Sequence, residues 1–344
     1  MKKIITLSMF LVVLTSLAQE TTKETKKFNI SGSIDAYYRA NLNAPNSSDN
    51  WTAPGSSFAN LPGFALGMAN VIASYEGEKV GFVADLVFGP RGTDAVFASP
   101  MYSVTGNIVN QLYAYWNVSE SVTLTMGNFN TFLGYEVISP TGNFNYSTSY
   151  LFSYGPFSHT GLKADIALGE DFSLMLAVMN DTDLTEFNPT GDYAFGAQLG
   201  YAGQFLNVLV DPSFFEIDFT GGFDISDDFF LGINAAYLSG EDDNPGFAGV
   251  ALYPQLATSD SFTIGLRGEY FVEDGAFGAI DWEGTGVEDA SVFAVTLTGS
   301  YVIDNLTIKP EIRLDSASDE VWLDNDLALQ KSLGSFVLAA IYSF

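Results

Sequence analysis

The sequence has no cysteine and only one histidine among its 344 residues. The absence of cysteine excludes a disulfide framework, and it also excludes lipid attachment at a new N-terminal cysteine. Transition-metal sites in proteins use several nitrogen or sulfur ligands. We therefore expect no metal centre and no cofactor.

Basic residues are also scarce. Lys and Arg total 13 against 41 Asp and Glu, a formal charge of −28. Losing Lys2 and Lys3 with the leader predicted below makes this −28 − 2 = −30. Nucleic acid phosphates are bound by Lys and Arg, so we expect no nucleic acid partner.

Long hydrophobic runs are confined to the N-terminus. Lys2 and Lys3 precede an apolar run over 4–14, and the small residues Ser16 and Ala18 precede a cleavage site after Ala18. The run is shorter than the roughly 20 residues of a spanning helix. We predict a signal peptide over 1–18, with a membrane anchor as the alternative, and a periplasmic tether over 19–27.

Aromatic residues and glycine are abundant, with 29 Phe, 17 Tyr and 33 Gly. After the tether, runs of about ten alternating apolar and polar residues are separated by turns, as in tilted strands that cross a bilayer. The pattern predicts an all-β fold over 28–344, a transmembrane antiparallel up-and-down β-barrel of about 16 strands (range 12–18). The predicted strands are 28–38, 64–75, 80–89, 107–118, 122–129, 157–168, 172–180, 193–201, 205–211, 215–225, 229–239, 247–257, 262–272, 292–302, 306–315 and 333–344.

The connections between these strands alternate in length. Short turns are expected on the periplasmic side of such a barrel and long loops on the outside, whereas a soluble β-sandwich, the alternative fold, would not sort them. With a periplasmic N-terminus, every short turn falls on the periplasmic side. The long connections are 39–63, 90–106, 130–156, 181–192, 273–291 and 316–332.

Strand-borne charges all fall on one face. In 306–315, for example, Lys309 and Arg313 alternate with Ile308 and Ile312. An Arg or Lys facing mid-membrane lipid costs about 2–4 kcal/mol, so we predict that the charged face lines a pore. The predicted pore-lining residues are Asp35, Arg39, Lys163, Asp165, Glu216, Asp218, Arg267, Glu269, Lys309, Glu311, Arg313 and Asp315. The acid surplus favours cations, or is instead a solvated, salt-adapted surface.

The last strand alternates Phe336, Leu338, Ala340, Tyr342 and Phe344 on one face. A terminal aromatic residue on such a strand resembles the recognition signal of outer-membrane barrels. The resemblance implies the barrel-assembly machinery as a partner, in addition to outer-membrane lipid. An oligomer, such as a trimer, fits a general porin, although no stripe of protein-facing residues stands out.

A motif links the strands near 122–129 and 157–168. Gly127–Glu136 (GNFNTFLGYE) is followed by Asn143–Ser147 (NFNYS) and then by Pro156, His159 and Gly161. This resembles the OmpL-like family of β-barrel porins, common in Bacteroidota, with its G-x-F…G-x-E, N-x-x-x-S and P-x-x-H-x-G elements. The resemblance implies a porin-like barrel in the outer membrane of a Gram-negative bacterium. It names neither a permeant nor catalytic residues.

The long connection 130–156 contains Gly134, Pro140, Gly142 and Pro156 among aromatic and amide side chains. Connections of this length often carry function. We hypothesise that it folds partly into the lumen and narrows the pore; the alternative is a loop packed over the barrel rim. The candidate constriction residues are Tyr135, Glu136, Asn143, Asn145 and Tyr146.

These features predict a passive diffusion channel for small hydrophilic solutes or ions. One alternative is an outer-membrane enzyme, but Ser158 and His159 are adjacent in sequence and point to opposite faces of a strand, which is poor geometry for proton transfer. Another is a structural or adhesive barrel with a plugged lumen, although about sixteen strands leave room for a channel.

Overall fold

The computed structural model describes residues 27–47, 49–96, 108–241, 244–275 and 277–344. The predicted signal peptide and residues 19–26 of the predicted tether lie outside this part of the chain, and residue 27 is the first of a strand. Within the described ranges, no helix is long and apolar enough to span a membrane.

Sixteen antiparallel strands form one closed barrel. They alternate apolar residues on the outside with polar or small residues inside, the pattern that a lipid-facing wall around a polar interior requires. The strands are β1 (Lys27–Asn41), β2 (Gly63–Glu76), β3 (Val80–Phe88), β4 (Val109–Ser119), β5 (Val122–Asn130), β6 (Ser158–Ala167), β7 (Phe172–Met179), β8 (Ala194–Tyr201), β9 (Gln204–Val210), β10 (Phe214–Asp224), β11 (Phe229–Gly240), β12 (Gly246–Ser259), β13 (Phe262–Asp274), β14 (Ser291–Ile303), β15 (Leu306–Ala317) and β18 (Ser332–Ser343), with the short strands β16 (Trp322–Leu323) and β17 (Leu329–Gln330) before the last. The predicted fold and strand number are confirmed.

Each strand of the wall pairs with its neighbours in sequence, and the first and last strands close the ring. Ser33 pairs with Ser343 and Arg39 with Val337. The Gly32 and Phe344 backbones exchange two N–H···O hydrogen bonds of 3.0 Å. No described strand edge of the barrel is therefore left open, which suits a wall surrounded by lipid.

The two ends of the barrel differ. At one, the turn end, all connections are short: 77–79, 120–121, 168–171, 202–203, 225–228, 260–261 and 304–305. The other, the loop end, has the long connections but also two short ones, 211–213 and 241–245. The expectation that every short turn lies at one end is therefore wrong at these two places. There the turns barely extend beyond β9–β12, so the rim is low.

Two short helices that the sequence did not predict lie in the long loops, α1 (Pro90–Ala95) and α2 (Tyr150–Tyr154). Pro at the first turn of α1 presets the helical φ angle. Ser149 caps α2, since its side chain accepts a hydrogen bond of 3.0 Å from the Phe152 N–H. Both helices lie against the inside of the barrel at the loop end.

Large apolar side chains lie on both sides of the wall. Outside, large side chains such as Ile34 (54%), Phe64 (90%) and Met126 (71%) are exposed and form the lipid-facing surface. Inside, the largest buried cluster joins Tyr150 and Leu151 to Phe271 of β13 and Ile280 of a loop. The core of this molecule thus sits in the lumen, toward the loop end.

Candidate functional site

The chain between β5 and β6, residues 131–157, runs inside the barrel; we call it the crossing segment. It turns inward at Gly134, whose φ of 82° lies in the region that glycine favours. Just before this turn, Leu133 packs with Met179 and Leu209 on the inner faces of β7 and β9. Apolar contacts thus hold the start of the segment to one side of the lumen.

A buried ion pair fixes the centre of the segment to the opposite wall. Glu136 Oε1 lies 2.7 Å from Arg267 Nη1 on β13, and the two side chains are 2% and 0% exposed. Arg267 also donates to the Ser147 carbonyl at 2.6 Å and to Thr296 Oγ1 at 3.1 Å. The other Glu136 oxygen accepts from the Ser149 N–H and hydroxyl, both at 2.7 Å. One carboxylate therefore joins two parts of the segment to the wall.

A second arginine repeats this arrangement on β15. Arg313 forms a bidentate pair with Asp315 and donates to the Thr148 carbonyl at 2.8 Å. It also donates to the Ser56 hydroxyl at 2.7 Å. The connection 42–62 thereby joins the segment in the lumen, where Arg39 of β1 donates to the Asn60 carbonyl at 3.3 Å.

Acidic residues of the wall accept from backbone amides of the segment. Glu311 accepts from the N–H of Tyr146 at 2.9 Å, and Glu269 accepts from Tyr150 and Leu151 at 3.0 and 2.8 Å. Each carboxylate satisfies N–H groups that would otherwise be buried without partners.

Side chains of the candidate constriction residues also reach the wall. The Tyr146 hydroxyl donates to Asp35 of β1 at 2.5 Å, and the Asn145 amide donates to Thr298 of β14 at 2.7 Å. Tyr135 stacks on Tyr253 of β12, with ring centroids 4.3 Å apart.

The turn at 139–143 is held by two cations. Lys309 donates to the Asn143 carbonyl at 2.5 Å. Arg91 of α1 donates to the carbonyls of Ile138 and Tyr146 at 2.8 and 3.1 Å and lies over the Phe58 ring. Arg91 was not predicted from the sequence because it lies outside the strands, where no alternation of apolar and charged residues marks the inward face.

The five candidate constriction residues therefore contact the barrel interior, and the alternative of a loop packed only over the rim does not describe these contacts. Ten predicted pore-lining residues also face inward, but they are at most 8% exposed. Eight of them bind the segment or one another instead of facing an open water column, Arg39 binds the Asn60 carbonyl, and Glu216 is buried with an unpartnered oxygen. These ten are Asp35, Arg39, Glu216, Asp218, Arg267, Glu269, Lys309, Glu311, Arg313 and Asp315.

The remaining two predicted residues lie across the lumen, on β6. Lys163 and Asp165 form an ion pair of 2.7 Å, and their side chains are 24% and 44% exposed. Four interior-facing neighbours on β4 and β5 are half-buried as well, whereas Thr125 of β5 is buried. We call this set the passage wall: Gln111, Tyr113, Tyr115, Thr123, Lys163 and Asp165. The space inside the barrel is thus filled on one side and less filled on the other.

Asp85 of β3 is a polar residue that the sequence analysis did not select. It accepts from Asn70, from Asn110 at 2.7 Å and from Gln111 at 3.4 Å. It is 3% exposed. Its amide partners make it a satisfied part of the interior.

His159 is fully buried at the loop end of β6. One ring nitrogen lies 3.0 Å from Thr131 Oγ1, and the ring lies against Phe132, with centroids 5.2 Å apart. Among the described residues, no group of three His, Asp or Glu side chains is placed to hold a metal ion.

Comparison with known proteins gives one family. The sequence profile of the family described as "Putative beta-barrel porin-2, OmpL-like" matches residues 27–344. No curated protein matches the sequence. The fold is similar to that of Salmonella typhi OmpF in complex with daunomycin (TM-score 0.59, 12% identity, covering 93% of this chain and 98% of that chain).

Two further solved structures are similar. They are an anion-selective porin from Comamonas acidovorans (TM-score 0.58, 10% identity, 93% and 100% covered) and the trimer form of OmpT, an outer membrane protein of Vibrio cholerae (TM-score 0.56, 12% identity, 93% and 100% covered). At such low identity, these likenesses concern the fold alone.

Proposed function

Because the chain belongs to the OmpL-like family of β-barrel porins, we propose that it is a passive diffusion channel for small hydrophilic solutes or ions. The resemblance read from residues 127–161 is confirmed by this family match, and the chain is a bacterial outer-membrane β-barrel. The permeants pass the crossing segment, which narrows the lumen, and follow the passage wall.

The uneven burial inside the barrel carries this proposal. Interior side chains on β13–β15, such as Arg267 (0%) and Arg313 (2%), are sealed beneath the segment. Across the lumen, the Lys163 and Asp165 side chains keep 24% and 44% of their surface accessible. A solute that crosses the barrel therefore meets these charges and the half-buried Tyr113 and Tyr115.

We further propose a preference for cations. The chain carries 28 more negative than positive formal charges, and a negative potential at a pore mouth raises the local concentration of cations. The ion pair of Lys163 with Asp165 leaves the passage wall itself nearly neutral. The preference should accordingly weaken at high salt. The Debye length is about 10 Å at 0.1 M and shortens as the salt concentration rises, so that more of the distant charges are screened.

One observation favours a second function, a structural or adhesive barrel with a plugged lumen. Ser56 of the connection after β1 binds Arg313 beneath the crossing segment, and Ile280 of a loop and Trp322 of β16 are fully buried in the same cluster as Tyr150. A resting barrel filled in this way would pass few ions.

An enzymatic function has less support. His159 contacts a threonine hydroxyl and aromatic rings, and its other ring nitrogen has no hydrogen-bond partner. A general base needs a reacting group within hydrogen-bond reach and a partner that orients its ring. We therefore propose that the protein is not a hydrolase.

The experiment that tests the channel is single-channel recording from purified, refolded protein in a planar bilayer with a salt gradient. Discrete conductance steps would support the channel, and the reversal potential would report cation preference. Silent bilayers from protein shown to be folded and inserted would favour the plugged barrel.

Deleting 137–153 tests the constriction. The deletion removes no residue of the two buried ion pairs, Glu136–Arg267 and Arg313–Asp315. It removes the part of the segment that follows Glu136. We expect a larger conductance, because the lumen over β13–β15 opens to water. Unchanged conductance in a folded variant would mean that the segment does not limit the current.

Reversing one charge tests the route. Lys163→Glu places two carboxylates side by side on the passage wall, so cation selectivity should increase. Lys331→Glu makes the same charge change on an exposed loop residue and is the matched control. Equal shifts of the reversal potential in the two variants would contradict a path along β6.

A further inference from the structure

The less filled side of the lumen carries two tyrosines in line along β4. Tyr113 and Tyr115 of the passage wall are two residues apart, so their side chains project from the same face of the strand, about 7 Å apart along its axis. Both residues are half-buried. Tyr113 packs against the apolar cluster that contains Phe129 and Met175, which holds its ring at the wall.

A glycine makes room for the Tyr115 ring. Gly81 of β3 pairs with Tyr115 across the two strands, and a Cβ added to Gly81 would overlap the Cζ and Oη atoms of Tyr115. The phenol end of the ring therefore lies directly over the Gly81 backbone. Because one face of the ring lies against the wall, the other face is left to the lumen.

Other inward-facing glycines of the barrel hold aromatic rings in a different way. Three of them lie under rings of the crossing segment: Gly196 under Phe132, Gly232 under Tyr135 and Gly265 under Phe144. Those rings fill the lumen together with the segment. The ring over Gly81 comes from the neighbouring strand of the same wall, so it covers the wall and leaves the passage beside it open.

The two phenol groups are available to a permeant. Within the described part of the chain, neither the Tyr113 nor the Tyr115 hydroxyl takes part in a hydrogen bond, and neither oxygen is fully buried. Each hydroxyl can therefore donate one hydrogen bond and accept another. The two side chains thus offer apolar rings and polar tips to the same solute.

The charges beside the tyrosines satisfy each other. Lys163 Nζ lies 2.7 Å from Asp165 Oδ2 and 5.6 Å from the centre of the Phe129 ring. An ion that bound to either charged group would have to replace a partner that is already in contact. A neutral solute can stack on the rings and bind the phenol groups without breaking this ion pair. The passage wall is therefore better suited to holding neutral solutes than ions.

We propose that the passage wall binds saccharides, and that neutral sugars are the organic permeants of the channel. A pyranose ring has an apolar face of C–H groups and a rim of hydroxyls. The apolar face stacks on the Tyr115 ring, while the hydroxyls exchange hydrogen bonds with the two phenol groups. A disaccharide reaches both tyrosines, since they lie about 7 Å apart. The inference rests on the proposed channel function and names its permeant class.

Block of the ionic current by sugar tests this proposal. Purified, refolded full-length protein in a planar bilayer is titrated with cellobiose, and the current is recorded at each concentration. The matched solute is sorbitol, an open-chain polyol that has hydroxyls but no ring face, at concentrations that give the same bulk conductivity. We expect saturable block by cellobiose, with a half-blocking concentration at least tenfold lower than that of sorbitol.

Variants locate the binding site on β4. Tyr113→Leu and Tyr115→Leu should each raise the half-blocking concentration of cellobiose at least fivefold, whereas Tyr115→Phe keeps the ring and should raise it less. Gly81→Val should act like Tyr115→Leu, because its side chain displaces the ring without removing an aromatic residue. Tyr301→Leu removes a tyrosine from the outside of the barrel and is the matched control, which should leave the block unchanged.

The possible outcomes separate this inference from the channel function. Conductance that cellobiose and sorbitol reduce equally would overturn the saccharide site and leave the channel in place. Wild-type block in folded, conducting Tyr113→Leu and Tyr115→Leu variants would also contradict the site. Folded and inserted wild-type protein that passes no current would overturn both proposals.

Discussion

Glu136→Gln is the sharpest perturbation of the lumen. Glu136 accepts with both oxygens, from Arg267 on one side and from Ser149 on the other. Glutamine has one acceptor oxygen, and its NH₂ group would face either the guanidinium or the Ser149 N–H. Whichever way the amide turns, two donors confront each other and Arg267 loses its counter-charge.

The expected cost follows from burial. Breaking a buried ion pair by removing one partner costs about 3–5 kcal/mol. Because Arg267 keeps its hydrogen bonds to the Ser147 carbonyl and to Thr296, we expect a loss of docking free energy at the lower end of this range, about 3 kcal/mol. This corresponds to roughly a hundredfold decrease in the ratio of docked to released segment.

Hydrogen exchange measures this ratio locally. Amides of 131–157 should exchange about a hundredfold faster in Glu136→Gln, while those of β11, which does not contact Glu136, should keep their rates. Glu120→Gln removes the same charge from an exposed turn and is the control. The double variant Glu136→Gln/Arg267→Met removes the stranded charge and should recover part of the protection. Exchange within threefold of wild type would refute the reasoning.

Three further predictions concern the interior and its rim. A Cβ on Gly232 would lie 2.5 Å from Tyr135 Cζ, whereas Gly268 has nothing within 4 Å; Gly232→Val should therefore displace Tyr135 and lower the midpoint of urea unfolding, and Gly268→Val should do so much less. Arg91→Met removes two hydrogen bonds to the segment and should increase open-channel current noise. Burial raises the pKa of Asp183 to about 7, so ionisation of this carboxyl opposes folding. The free energy of unfolding of the wild type should therefore fall as the pH rises from 4 to 7, and it should fall less in Asp183→Asn; thermal unfolding at each pH measures the difference.

The barrel was predictable because lipid imposes the same rule on every strand. Lys309 and Arg313 had to face inward, and this fixed the alternation of β15 without knowledge of its neighbours. Even Pro254, within β12, is tolerated, and it pairs with Leu231 of β11.

The interior was less predictable because its contacts join residues far apart in sequence. Nothing near Arg267 signals that Glu136 lies against it, and strand periodicity cannot separate a charge that faces water from one that a loop covers. The helix α2 has five residues, too few for a helical period, so only its Ser149 cap could have signalled it. The low rim is formed by the short connections 211–213 and 241–245. It could not be predicted, because turn residues do not reveal which end of a barrel they occupy.

The closure of the ring by β1 and β18 has a consequence for how the protein reaches its native state. Those strands come from opposite ends of the described chain, yet Ser33 pairs with Ser343. The pairing has the longest loop to close, and such contacts slow folding. Until it forms, the incomplete sheet exposes two adhesive edges. Pairing each strand as it is synthesised therefore cannot complete the barrel, because β1 must wait for β18. Both open edges of the sheet must be shielded until the two strands pair.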